Sequence, residues 1–284
     1  MAKQILDCSP LVMSIVEVKF SDVPHSILAD GIEKFKTALF ELGLSIFNED
    51  DLNEIELNKH GSDEVEIKRS KSKRWDFINL KRDTSVTLAK NQLMFRTTAY
   101  STFDDFRFFW EDVLNACFSV FPSVKKAGLR RVGLRYMDLF MAEPSENIFD
   151  YINPAFLSEV QLNANSDSVS TVQRVRKTNT GILKLVLEER IPEDSRVNIF
   201  PAGVSDPENA ALTVPLRGHW KKYDGSRYAV VDIDHFWQAG EELDAVNSEQ
   251  IIDTTKSLYK DSSETFWSLL TDHAKHKWQH KELK

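Results

Sequence analysis

Gly128-Leu129-Arg130-Arg131-Val132-Gly133-Leu134-Arg135-Tyr136-Met137-Asp138 alternates apolar and basic residues. A period of two marks a strand with two unlike faces. One face would carry Leu129, Val132 or Leu134, and Tyr136; the other would carry Arg131, Gly133, Arg135 and Met137. Two glycines and three arginines are unusual in a central strand, because glycine weakens strands and a buried arginine needs partners. A covered Arg135 therefore requires a carboxylate from a neighbouring strand or from the final helix. Asp232, Asp234 and Asp272 are the candidates, and such a pair would serve the core of the second half. An open pocket around Arg135 would instead make it an anion site.

Elements can be placed outward from this strand. Leu11–Phe20 is a β-branched stretch and reads as a first strand. A helix follows, capped by Ser21 or Asp22, with Pro24 in its first turn and Gly43 at its end. Its apolar residues Leu28, Ile32, Phe35, Leu39 and Leu42 define one buried face. Residues 44–100 alternate as an antiparallel meander, with turns at Gly61-Ser62, Asp83-Thr84 and Asn91-Gln92. A second helix runs from Ser101 or Thr102 to Pro122. The order then recurs in outline: a strand at 129–141, a short helical piece at 145–157, several strands over 158–236 and a long final helix from Asn247 or Ser248. The last helix has the stripe Ile251, Thr255, Leu258, Ser262, Phe266, Leu269 and His273. The expected fold is α+β. Two antiparallel-sheet halves, 1–122 and 128–284, each read strand, helix, meander, helix, either as two domains or as one continuous domain.

The chain has 284 residues, enough for one large core or two modest ones. Ten Gly and nine Pro are few, which argues against long disordered linkers. The net charge of −8 disfavours phosphate binding over the whole surface, so nucleic-acid binding would need a local basic patch. Charge is segregated: an acidic run from Glu49 to Glu66 is followed by Lys68, Arg69, Lys71, Lys73 and Arg74. The plain reading of these runs is a solvated hairpin. Cys8 and Cys117 read as free thiols in a reducing compartment. The opening Met1-Ala2-Lys3-Gln4 has no apolar leader, and no apolar run is long enough to span a bilayer. A cytoplasmic protein is expected.

Four constellations could carry chemistry. Glu64-Val65-Glu66-Ile67-Lys68 places Glu64, Glu66 and Lys68 on one strand face, the E-x-E-x-K arrangement of triphosphate tunnel enzymes. The carboxylates would hold Mg²⁺ or Mn²⁺ and Lys68 would meet a phosphate, with Arg131, Arg135, Glu188 and Arg190 as further wall. His273, His276 and His280 would form a metal-binding stripe if one helix carried all three; helix-dipole stabilisation is the simpler account. Asp232, Asp234 and His235 close an apolar strand and could bind a cation or act as acid and base. Arg217, Trp220, Lys221 and Lys222, with Arg131 and Arg135, are the candidates for nucleic-acid or anion binding. No P-loop, G-x-G-x-x-G or G-x-S-x-G occurs.

Three elements resemble a sporadically distributed family of bacterial proteins with no established activity. They are Ser9-Pro10-Leu11 followed by Val16-Glu17-Val18-Lys19-Phe20; Gly133-Leu134-Arg135-Tyr136; and Val231-Asp232-Ile233-Asp234 followed by a long helix with Phe266 and Thr271-Asp272. The family helix often carries a Leu-His pair where this chain has Leu258-Tyr259. The resemblance implies an accessory setting, in defence or toxin–antitoxin-like gene pairs, with a protein partner encoded nearby. The expected function is thus a non-enzymatic, protein-binding component needing no cofactor. A metal-dependent phosphohydrolase or nucleotidyl enzyme is the first alternative, and a nucleic-acid-binding module the second. The sequence does not fix an oligomeric state.

Overall fold

A computed structural model describes residues 3–60, 64–157, 169–192, 197–200 and 208–283; within these, the side chains of 3, 53–60, 64–70, 208, 219 and 283 are not described. The elements in chain order are β1 (Lys3–Leu6), β2 (Leu11–Phe20), α1 (His25–Glu41), β3 (Ile46–His60), β4 (Glu64–Ile78), β5 (Thr84–Ala89), β6 (Gln92–Thr97) and α2 (Phe103–Val120). There follow β7 (Leu129–Met141), β8 (Thr171–Lys177), β9 (Ile182–Arg190), β10 (Tyr228–Gln238), α3 (Ser248–Leu269), α4 (Asp272–Lys277) and β11 (His280–Leu283). The fold is α+β, as the sequence pattern implies. Among the described residues no helix is long and apolar enough to cross a membrane.

Among the described residues nine strands form one antiparallel sheet in the order β3-β4-β5-β6-β2-β7-β10-β9-β8. The strand that opens each half lies at the centre. β2 pairs with β6, the last strand of the first meander; β7 pairs with β10, the last of the second; and β2 pairs with β7, with Val16 opposite Leu134. The two halves therefore share a sheet and lay their meanders outward in the same manner. The termini form a separate two-stranded sheet, β1 with β11, which local patterning did not reveal.

The central strands explain the two-faced pattern. Leu129, Val132, Leu134 and Tyr136 all join the helix-side core, where a register irregularity between Lys19 and Phe20 brings Leu129 and Val132 onto the same side. That core takes Val16, Val18 and Phe20 from β2, Phe35 and Leu39 from α1, and Trp110 and Val113 from α2. Each such side chain contributes roughly 1.5–3 kcal/mol by leaving water. A second cluster on the same side joins Leu183, Leu185, Val231 and Ile233 to Leu269 and Trp278. On the opposite face Met13, Met137, Leu139 and Val230 pack with Trp220, beneath the partly buried Val197, Ile199, Leu212 and Val214.

Several local details differ from the sequence expectations. α1 begins after Pro24 with no side-chain cap, while the Ser21 hydroxyl accepts from the Gly128 amide at 2.9 Å instead. Gly43 ends the helix in a left-handed conformation, φ 87°, which a side chain would strain. The final helical stretch is broken: α3 stops at Leu269, Thr271 caps α4, and Gln279 at φ 55° turns the chain into β11. Gly61-Ser62 lies outside the described residues, as do residues 201–207. Cys117 is buried and Cys8 half-buried, both as free thiols.

Candidate ligand cavity

The open face of the sheet shows why β7 carries arginine. Arg135 donates from Nε to Asp232 Oδ1 at 2.7 Å and from Nη2 to Asp232 Oδ2 at 2.6 Å. Asp232 is thus the partner among the three candidates. Arg131 reaches along the strand to bond Glu17, and donates from Nη2 to Asp234 at 3.1 Å; its guanidinium also lies 4.5 Å from the Phe236 ring centre. Gly133 makes room for this reach, since a Cβ there would sit 2.8 Å from Arg131 Nη1. The unusual glycine and the arginines are one device, which ties β2, β7 and β10 together.

A cavity of about 310 Å³ lies on the helix side of the same strands. Tyr136 and Asp138 come from β7, Ile233 from β10, Tyr259, Ser262 and Ser263 from α3, and residues 4–7 from β1 and the turn after it. The start of α2 forms another wall. Thr102 caps that helix by accepting from the Asp105 amide at 3.2 Å, and the Ser101 and Thr102 hydroxyls each donate to Asp105 Oδ2 at 2.7 Å. α3 leaves space here because its buried stripe changes from Ile251 and Leu258 to Ser262. Phe103 and Tyr259 stack in parallel at 3.8 Å, and Tyr136 meets Tyr100 edge-on at 5.8 Å. The walls are aromatic and the fixed groups are polar.

Those polar groups are incompletely satisfied. Asp138 is 2 % exposed and Ser262 is 1 % exposed. Asp138 Oδ2, Ser262 Oγ and Arg217 Nε are buried with no hydrogen-bond partner in the described structure. Buried polar atoms left this way cost free energy, and the three residues that carry them all line this cavity. Burial pushes the Asp138 carboxyl up to about 8; nearby Arg217 opposes the rise and Asp232 adds to it. Burial also drives the Tyr136 hydroxyl well above its ordinary range, with neighbouring Tyr100 and Tyr259 adding to the rise. Burial lowers Arg217, and Asp138 partly restores it. Arg217 is anchored by a 2.5 Å bond from Nη2 to the Leu11 carbonyl.

The other sequence candidates do not assemble into this site. Glu64, Glu66 and Lys68 lie on β4, where Glu66 is opposite Asn58 and Lys68 opposite Glu56, but their side chains are outside the described part. Lys73 and Glu49 do form an ion pair across the same hairpin. The histidine stripe is corrected by the break after Leu269: His273 and His276 sit on α4, and His280 on β11 beside Trp267. Among the described residues no group of three His, Cys, Asp or Glu could hold a metal ion. Trp220 is 7 % exposed within the opposite-face core, so it is not presented for base stacking. Lys221 is exposed, and Lys222 bonds Glu143 at 2.9 Å. Glu188 and Arg190 lie apart from the cavity on β9, where Glu188 accepts from Arg190 at 2.9 Å. His235 faces the helices: Nδ1 is 2.9 Å from the Leu258 carbonyl and Nε2 is 2.9 Å from the Thr178 hydroxyl.

No family model matches this chain, and no curated protein does.

Proposed function

We propose that this protein is a non-enzymatic ligand-binding component whose site is the cavity between β7, α3 and the start of α2. The observation that carries this reading is that Asp138, Ser262 and Arg217, each holding a buried and unpartnered polar atom, all line one aromatic-walled space. Such a mixture of apolar walls with a few fixed polar groups suits a small organic molecule. The ion pairs of Arg131 and Arg135 support a structural role for the charged face. The resemblance in sequence supports placing the protein in a bacterial accessory system, defence or toxin–antitoxin-like, beside a protein partner. Two free thiols support a reducing, cytoplasmic setting.

A thermal-shift screen of small polar metabolites tests the reading, run on the wild type and on Ser263→Phe. Ser263 is half-buried at the cavity, so the phenyl ring plugs the space without entering the deepest core. The expected result is a set of stabilising molecules whose effect is lost in the plugged variant. Stabilisers that act equally on both forms, or none at all, would overturn the proposal.

A further inference from the structure

We propose that the cavity takes an uncharged planar heterocycle bearing a lactam edge, an N–H beside a C=O, of the kind found in pyrimidine and oxopurine bases. This deepens the ligand-binding reading and rests on it. Three features of the site select the class.

The first is the pairing of polar groups. Asp138 and Arg217 both line the cavity, and Asp138 Oδ2 and the Arg217 Nε–H are buried without bonding to a protein partner; the Asp138 carboxyl, which burial keeps protonated, still offers an acceptor oxygen beside its O–H. The two residues act on each other electrostatically, yet these two atoms are not bonded to one another. A guest that fills the gap must offer a donor to the carboxyl and an acceptor to the guanidinium. A lactam edge supplies both in one rigid plane. The Ser262 hydroxyl can donate or accept, and so can serve a second carbonyl.

The second feature is charge. Arg217 is the one cation among the described lining residues, and Asp7 is already paired with Lys281 at 2.5 Å. A phosphate or polyphosphate guest would bring more negative charge than one half-buried arginine can balance. An uncharged guest adds no charge for the site to balance. The third is shape. Tyr100, Phe103, Tyr136, Tyr259, Phe266 and Trp267 supply aromatic surface around the space, which suits a flat ring by stacking and edge contacts. A volume of about 310 Å³ has room for a single base and is large enough for a nucleoside.

Titration calorimetry with uracil, hypoxanthine and 1,3-dimethyluracil tests this on the unmodified protein. Uracil or hypoxanthine should bind, and 1,3-dimethyluracil, which keeps the ring and both carbonyls but carries a methyl in place of each N–H, should bind at least about tenfold more weakly, a loss of about 1.4 kcal/mol. Arg217→Met should weaken uracil by a similar factor, provided its melting curve matches the wild type. Equal binding of uracil and its dimethyl form overturns the lactam assignment. So does failure of both bases, while plug-sensitive binding of other molecules in the metabolite screen leaves the cavity reading standing. Failure of the bases together with no plug-sensitive molecule overturns both.

Discussion

Arg135 on β7 and Asp232 on β10 form a two-point ion pair, with N–O distances of 2.7 and 2.6 Å. The residue directly across from Arg135 is Asp234, so the guanidinium bonds diagonally and leaves Asp234 to Arg131. Asp232 is 8 % exposed at its side chain and Arg135 is 27 % exposed. Removing one member strands the other, which is the costly way to break a buried pair. Solvent around Arg135 softens the loss. Arg135→Ala should cost about 2–3 kcal/mol in urea unfolding. Arg135→Met combined with Asp232→Leu should recover at least half of that, because no charge is left unpaired. A double variant as unstable as the single one would contradict this account.

Asp138 makes stability depend on pH. Its carboxyl rises from an ordinary 3.8 to about 8 through burial, so the folded chain holds a proton that the unfolded chain releases. Stability from this group is fully present below about 4 and declines as pH rises towards about 8. Asp138→Asn keeps the shape and removes the titration. Melting temperatures from pH 5 to pH 8.5 should show a flatter profile for the variant, with a gain of at least about 1 kcal/mol at the alkaline end. Parallel profiles would rule out a raised carboxyl.

His235 works in the opposite direction. It is fully buried, and burial lowers its pKa despite the bond to the Leu258 carbonyl and the nearby Asp261. The unfolded chain therefore takes up the proton first, and stability falls as pH drops through the ordinary histidine range near 6.5. A nitrogen-15 NMR titration of the imidazole should place its midpoint below the ordinary 6.5, and His235→Gln should show less loss of stability as the solution is acidified. A midpoint at or above 6.5 would contradict the assignment.

Gly31 is a helical glycine at which alanine should be unfavourable. Alanine is the better helix former by about 1 kcal/mol. A Cβ at Gly31, however, would sit 2.9 Å from Phe121 Cδ1 and closer still to Cε1, and Phe121 is itself buried. The ring is packed edge-on against Phe35 at 5.4 Å. Gly31→Ala should therefore destabilise by about 1–3 kcal/mol in denaturant melts, against its propensity.

The strands were legible where pattern and chemistry coincide. Leu11–Phe20 and residues 129–141 fall where alternation places them, and the demand of Arg135 for a carboxylate put Asp232 among three candidates, from which the structure selects it. The α1 and α3 stripes were likewise readable from spacing, since Leu28, Phe35 and Leu39, and Ile251 and Leu258, are buried. The cavity was not legible. It depends on Tyr136 and Asp138 meeting Tyr100, Arg217 and Ser262, which lie far apart in the chain. The available signal was small: Asp138 in an apolar strand and Ser262 in an apolar helix stripe. The break after Leu269 was missed because His273, His276 and His280 continue a helical spacing that Thr271 interrupts by capping a new helix.

A high-resolution crystal structure of the protein, grown with and without uracil, tests the ligand-site claim most directly. The account predicts an open cavity in which ordered water or the base bonds Asp138 Oδ2, Arg217 Nε and Ser262 Oγ. A closed space, with Arg217 bonded directly to Asp138 and no guest or water between them, would contradict it.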